Sequence, residues 1–220
     1  MTAVFLDALG TLVELQPPAL RLRRRLAEEG FEVSDERAAA GFAVEISYYL
    51  AHHLEGSDRG RLDELRDRCA TAMMEALEVP GLDHRTARRA MLGALEFKPF
   101  PDVLAALAAL RERGHGMVIV SNWDCSLPDW LAPTGILELV TGVVTSADVG
   151  AAKPDAAIFH RALELAGVEG SGAVHVGDSL ENDVAGARAL GIRAILVQRE
   201  GEPPPGVESV RALTEVATLV

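Results

Sequence analysis

The chain has 220 residues, 49% of them hydrophobic and 25% charged, with a formal net charge of −12. That length supports a substantial core plus an accessory region, in one or two domains. The acidic excess argues against nucleic acid and against an anionic membrane surface as partners, and leaves room for a small anionic substrate held by local groups.

The first stretch, Val4-Phe5-Leu6-Asp7-Ala8-Leu9-Gly10-Thr11, is an apolar run that stops at a carboxylate and a glycine turn. It reads as a buried strand whose end leaves Asp7 pointing out of a sheet. From Pro17 to about Gly93 the pattern is helical. Leu20, Leu22 and Leu26 end at Gly30, and Ser34 reads as an N-cap. A periodic stretch then runs through Phe42, Ile46, Tyr49 and Leu50 to a break at Gly56 to Gly60. A third helix carries Leu62, Leu65, Cys69, Met73 and Leu77. Pro80-Gly81 breaks the chain again, before a fourth helix from about His84 to Leu92. No strand signal interrupts this insertion, and Phe97 to Pro101 reads as a return linker.

Beyond it, helices and apolar strands alternate. Asp102 to Arg113 is helical; Gly116 to Val120 is a strand ending at Ser121-Asn122; Val140 to Val144 is a strand leading to Lys153-Pro154. Asp155 to Ala166 is a helix, and Ala173 to Val176 a strand ending at Gly177-Asp178. Leu180 to Leu190 is a helix, Arg193 to Val197 the fifth strand, and Leu213 to Leu219 a last short helix. Strands without polar alternation, each followed by a helix, predict a doubly wound, Rossmann-like parallel α/β sheet covered on both faces. The expected division is a core of residues 1–16 and 94–220 with a helical cap of 17–93. In such a sheet the ligand lies beyond the carboxyl ends of the strands. Four segments deliver Asp7, Ser121-Asn122, Lys153 and Asp178 to that rim, and their convergence is the argument for function.

The two cysteines, Cys69 and Cys125, lack metal-ligand spacing and read as free thiols of a reducing compartment. No apolar run reaches the length of a membrane span, and the chain opens straight into a strand. Both features give a soluble, cytoplasmic expectation. Only two lysines, Lys98 and Lys153, stand against nineteen arginines, which singles out Lys153.

These motifs resemble the haloacid dehalogenase-like hydrolase superfamily. The first is Asp7-Ala8-Leu9-Gly10-Thr11, the second the strand ending at Ser121, the third Lys153 followed by Pro154. The fourth is Gly177-Asp178-Ser179-Leu180-Glu181-Asn182-Asp183, with the helical insertion where the family places its cap. The resemblance implies Asp7 as nucleophile, forming an aspartyl intermediate, and Ser121 as hydrogen-bond donor to the transferred group. It implies Lys153 as the neutralising cation and Asp183 as the residue that orients Lys153 or a metal-bound water. Mg²⁺ would be held by Asp7, Asp178 and the backbone carbonyl of Leu9. Thr11, Ser121, Asn122 and Lys153 would contact the substrate, a small phosphorylated metabolite. The Asp178 strand would lie beside the Asp7 strand, with the Ser121 strand on the other side. The chain would work as a monomer or a homodimer.

Position 9 departs from the family's phosphatases, which carry there a second aspartate that protonates the leaving group and later activates water. Leucine does neither, although its carbonyl can still bind a metal. Three readings follow. The first is a Mg²⁺-dependent phosphatase whose proton comes from another group, with Asp124, His52 and His53 as candidates. The second is a 2-haloacid dehalogenase-like enzyme. The third is a catalytically weakened phosphate-binding or interaction protein. The acids Asp178 and Asp183 weigh toward the first, because clustered carboxylates beside Asp7 require a cation.

Overall fold

The computed structural model describes residues 2–220. The chain enters through β1 (Ala3–Leu6) and leaves through β2 (Val13–Leu15) into four helices: α1 (Pro18–Glu28), α2 (Asp35–His52), α3 (Arg59–Leu77) and α4 (His84–Ala94). It returns through β3 (Phe97–Pro99) and then alternates. α5 (Val103–Glu112), β4 (Met117–Ser121), α6 (Leu127–Leu131) and β5 (Gly142–Thr145) come first. α7 (Ser146–Val149), α8 (Ala156–Ala166), β6 (Ala173–Gly177), β7 (Arg193–Val197) and β8 (Ser209–Val210) follow. The chain divides into two compact units. One is Leu15–Phe97; the other is Lys98–Val220 together with the segment up to Glu14.

The Leu15–Phe97 unit is a set of helices, three of them with side-chain caps, around its own apolar interior. The Ser34 hydroxyl accepts from Arg37 N–H, and Asp58 and Asp83 cap α3 and α4 in the same way. Each such cap satisfies an otherwise orphaned N–H and contributes about 1 kcal/mol. Because Asp58 is the cap, Gly60 falls inside α3, and the break expected to reach Gly60 ends earlier. Leu22, Leu26, Phe42, Leu65, Met73 and Met91 are buried.

The other unit is built on a six-stranded sheet of order β5-β4-β1-β6-β7-β8, and each adjacent pair is parallel. β1 lies at the centre, with the Asp178 strand on one side and the Ser121 strand on the other, as the resemblance implies. Register sets Phe5 opposite Val118 and His175. Alternation then puts Phe5, Val118 and Val120 on one face, where they pack with Ile158, Phe159 and Ala162 of α8. Burying a side chain of this size contributes roughly 1.5–3 kcal/mol. β1 and β4 are buried along their whole length, and the polar groups of this pair stand at the carboxyl ends.

Three elements differ from expectation. The connecting segments after Leu12 and before Pro101 pair as a two-stranded ribbon of β2 and β3; three-residue strands are too short for a periodic signal. β8 adds a two-residue sixth strand between the fifth expected strand and the last helix, where no strand is expected. The helix expected over Leu180 to Leu190 opens instead as a π-helical turn, Leu180–Ala185, before a short α-helical segment, Gly186–Arg188. Among the described residues no helix is long and apolar enough to cross a membrane.

Candidate active site

β1 delivers Asp7. Its N–H donates to the Val176 carbonyl at 2.9 Å, which carries the sheet ladder one residue past β1 and fixes where the carboxylate emerges. The chain then folds back sharply: the N–H groups of Leu12 and Val13 both donate to the Ala8 carbonyl, at 2.8 and 2.9 Å. Gly10 sits in that turn at φ +87°, and a Cβ there would come within 2.1 Å of Asp178 Oδ2. Only glycine allows both the left-handed backbone and the approach of Asp178 to the Asp7 turn.

β4 delivers Ser121, whose Oγ donates to Asp7 Oδ1 at 3.1 Å. Asn122 follows. Its Oδ1 accepts from Lys153 N–H at 2.6 Å and its Nδ2 donates to the Lys153 carbonyl at 3.0 Å. Asn122, expected to contact substrate, therefore uses both ends of its amide to clamp the backbone of Lys153. The Lys153 side chain is buried, and its Nζ donates to Asp7 Oδ1 and to Asp183 Oδ1, each at 2.6 Å.

β6 ends at Gly177-Asp178, and the π-helical turn after it brings Asp183 back toward the sheet. Ser179 organises that turn: its Oγ accepts from Asn182 N–H at 3.1 Å, and its own N–H donates to Asp183 Oδ2 at 2.9 Å. π-Helical turns often mark functional sites. Here the turn stacks Asp183 over Gly177, where a Cβ would lie 2.2 Å from Asp183 Cγ. One carboxylate oxygen from each of Asp7, Asp178 and Asp183 lies within 4.8 Å of the other two.

Three carboxylates thus face one ammonium. For Asp183, burial acts to raise its pKa, but the Lys153 charge and the His175 hydrogen bond overcome it and hold the carboxyl well below the usual range. For Lys153, burial acts against the ammonium, yet Asp7 and Asp183 outweigh it and hold the pKa above the ordinary lysine value. Asp7 is pushed up to about 6, first by burial, with the Asp183 and Asp178 charges adding to it against the pull of Lys153. Asp178 is raised as well, by burial and then by Asp183. Three carboxylates against one ammonium leave the cluster with a surplus of negative charge.

That surplus of negative charge, made entirely of hard oxygen donors, suits a divalent cation such as Mg²⁺. Asp183 already accepts from three donors, which leaves Asp7 and Asp178 as the carboxylates available to an ion. The Leu9 side chain is 44% exposed. Thr11, expected to touch the substrate, is fully buried, with Oγ1 lacking a hydrogen-bond partner. Asp124 is buried and accepts from Ser126 N–H at 2.7 Å, holding its own turn. In the helical unit, His52 and His53 bond through Nδ1 to the carbonyls of Tyr48 and Leu50, at 2.8 and 3.0 Å.

Two residues of this neighbourhood escape sequence reasoning. His175 is fully buried in β6 with Nε2 2.8 Å from Asp183 Oδ1. Its sequence signal is a polar residue inside the apolar run Ala173 to Val176. Arg199, just past β7, donates to both Asp102 oxygens and to the Thr11 carbonyl, and lies 3.8 Å over the Phe100 ring. No local pattern marks Arg199, because its partners come from two distant segments, one at Thr11 and one at Phe100 to Asp102.

A hydroxyl, a buried lysine and three carboxylates at the carboxyl edge of a doubly wound sheet define an α/β hydrolytic enzyme. The chain belongs to the haloacid dehalogenase-like hydrolases, whose family model matches residues 1–191. It is 42% identical to the bovine (Bos taurus) haloacid dehalogenase-like hydrolase domain-containing protein 3, over 47% of this chain and 41% of that one. The chain thus matches less than half the length of that relative. It is 32% identical to the plasmid phosphoglycolate phosphatase of Cupriavidus necator, over 99% of this chain and 93% of the relative. A haloacid dehalogenase-family phosphatase from Thermococcus onnurineus superposes with a TM-score of 0.69 at 25% identity, covering 100% of this chain and 97% of that one. The L-2-haloacid dehalogenase of Xanthobacter autotrophicus shares the fold, with a TM-score of 0.72 at 21% identity over 100% of this chain and 98% of its own.

Proposed function

We propose that this hydrolase is a Mg²⁺-dependent phosphatase acting on a small phosphorylated metabolite, with Asp7 as the nucleophile. The observation that carries the reading is Lys153 Nζ shared between Asp7 and Asp183 at 2.6 Å each, with Asp178 against the same turn. A carboxylate is repelled by a phosphate dianion, so it needs cations on both itself and the substrate. Lys153 supplies one, and Mg²⁺ bound by Asp7, Asp178 and the Leu9 carbonyl would neutralise the charge that Lys153 does not reach. Ser121 and Lys153 hold Asp7 Oδ1, which leaves Oδ2 to attack phosphorus and form the aspartyl-phosphate while the ester oxygen departs. Ser121 Oγ then turns its hydrogen to the transferred phosphoryl. The near-full-length similarity to a phosphoglycolate phosphatase supports a small anionic substrate.

The exposed Leu9 favours one competing reading, metal-free displacement of halide from a 2-haloacid by the same Asp7, since an apolar residue there donates no proton. One assay separates the two: phosphate release from a panel of small phosphate esters with Mg²⁺ and with EDTA, against Asp7→Asn. Turnover requiring both Mg²⁺ and Asp7 supports the phosphatase. Halide release from 2-haloacids in EDTA, without phosphate release, overturns it.

A further inference from the structure

We propose that His175 is a positioning residue of this site: its Nε2–H holds Asp183 so that Lys153 stays aimed at Asp7. The inference rests on the phosphatase reading for its kinetic consequence and on geometry for its origin. His175 is fully buried at the middle of β6, opposite Phe5 and edge-on to the Phe159 ring, with centroids 5.2 Å apart. The surrounding layer is aliphatic and aromatic. An imidazole is a poor choice there on packing grounds, because Nδ1 is buried with no hydrogen-bond partner, and an unpaired buried polar atom destabilises a fold. Its compensation is one bond, Nε2 to Asp183 Oδ1 at 2.8 Å.

That oxygen is the one that also accepts from Lys153. Together with the Ser179 N–H on Oδ2, three donors fix the Asp183 carboxylate. Without the imidazole donor, Oδ1 becomes a stronger acceptor for the remaining ammonium. Lys153 is then drawn toward Asp183 and away from Asp7 and the transferred phosphoryl. A displacement of this kind acts on the transition state more than on substrate binding.

The test pairs His175→Leu with His175→Gln, whose amide can place an N–H where Nε2–H lies. With p-nitrophenyl phosphate and Mg²⁺, His175→Leu lowers kcat about 10- to 100-fold, the scale of one hydrogen bond to a charged group. KM moves less than about threefold and Tm is unchanged or higher, because the unpaired Nδ1 is gone. His175→Gln recovers most of the kcat. A second readout needs no turnover. The chain has only two lysines, Lys98 and Lys153, so a lysine-labelled protein gives two side-chain NMR signals. The Lys153 signal shifts in His175→Leu and returns in His175→Gln, while Lys98 stays fixed. An unmoved Lys153 signal in His175→Leu overturns the proposal, and so does equal loss of kcat in the Leu and Gln variants. Absence of phosphate release from the wild type instead overturns the phosphatase reading and leaves the NMR result to judge His175.

Discussion

Replacing Leu9 by aspartate isolates the one motif position that departs from the family's phosphatases. Leu9 is 44% exposed, so the change removes little packing. A positioned general acid/base contributes about 10²- to 10⁴-fold in rate, or roughly 2.7–5.5 kcal/mol of barrier. That gain is not uniform across substrates. A nitrophenolate departs without a proton, whereas an alkoxide needs one. The Leu9→Asp variant should therefore raise kcat/KM strongly for an alkyl phosphate such as glycerol phosphate and weakly for p-nitrophenyl phosphate. A partial offset is built into the site. A fourth carboxylate beside Asp7 pushes its pKa further above about 6, so the gain is read at pH 8 rather than pH 6. The assay is phosphate release from both esters, wild type and variant, with saturating Mg²⁺. A folded variant showing the same gain on both esters, or no gain on either, refutes the claim that a missing proton donor is what Leu9 costs.

The remaining predictions follow from the charge balance and the turn. Lys153→Met leaves Asp7 and Asp183 facing each other without the ammonium, and should destabilise the fold by about 3–5 kcal/mol as well as abolish turnover; an unchanged denaturant midpoint would show that the bridge is not a stabilising pair. Gly10→Ala meets both the left-handed backbone and Asp178 Oδ2. It should weaken Mg²⁺ binding at least about tenfold, and calorimetric titration reads this; undiminished affinity would remove Asp178 from the metal set. Asp7, raised from 3.8 to about 6 by burial, is largely protonated at pH 5 and ionised at pH 7.5. A proton on Asp7 competes with the cation, so Mg²⁺ should raise Tm more at pH 7.5 than at pH 5, and equal increments would exclude Asp7 as a ligand. In the metal-free protein the same raised value means that ionising Asp7 opposes folding. Its contribution to the fold is fully present below its unfolded value of 3.8 and is lost as pH rises through about 6, whereas the depressed Asp183 stabilises above its unfolded value near 3.8 and loses that contribution in acid.

What could be read in the sequence followed from what is local. The parallel sheet was legible because its strands are buried on both faces, and a continuous apolar run needs no tertiary information to be seen. The strand ends were legible for the same reason: Asp7, Ser121 and Gly177-Asp178 each stand where such a run stops. Non-local facts were not legible. Asn122 and Thr11 resemble rim residues in the motif, but one clamps the Lys153 backbone and the other is buried, outcomes decided by partners at large sequence separation. The π-helical turn depends on Asp183 being drawn to Ser179 N–H and Lys153, a bond set no helical periodicity encodes. His175 marks the boundary between the two kinds of evidence. A histidine inside an apolar strand is visible at once, yet its meaning depends on register, which sets it opposite Phe5, and on Asp183 eight residues later folding back over the strand. The polar interruption of a buried strand was the clue, and only the tertiary fold supplied the carboxylate that accounts for it.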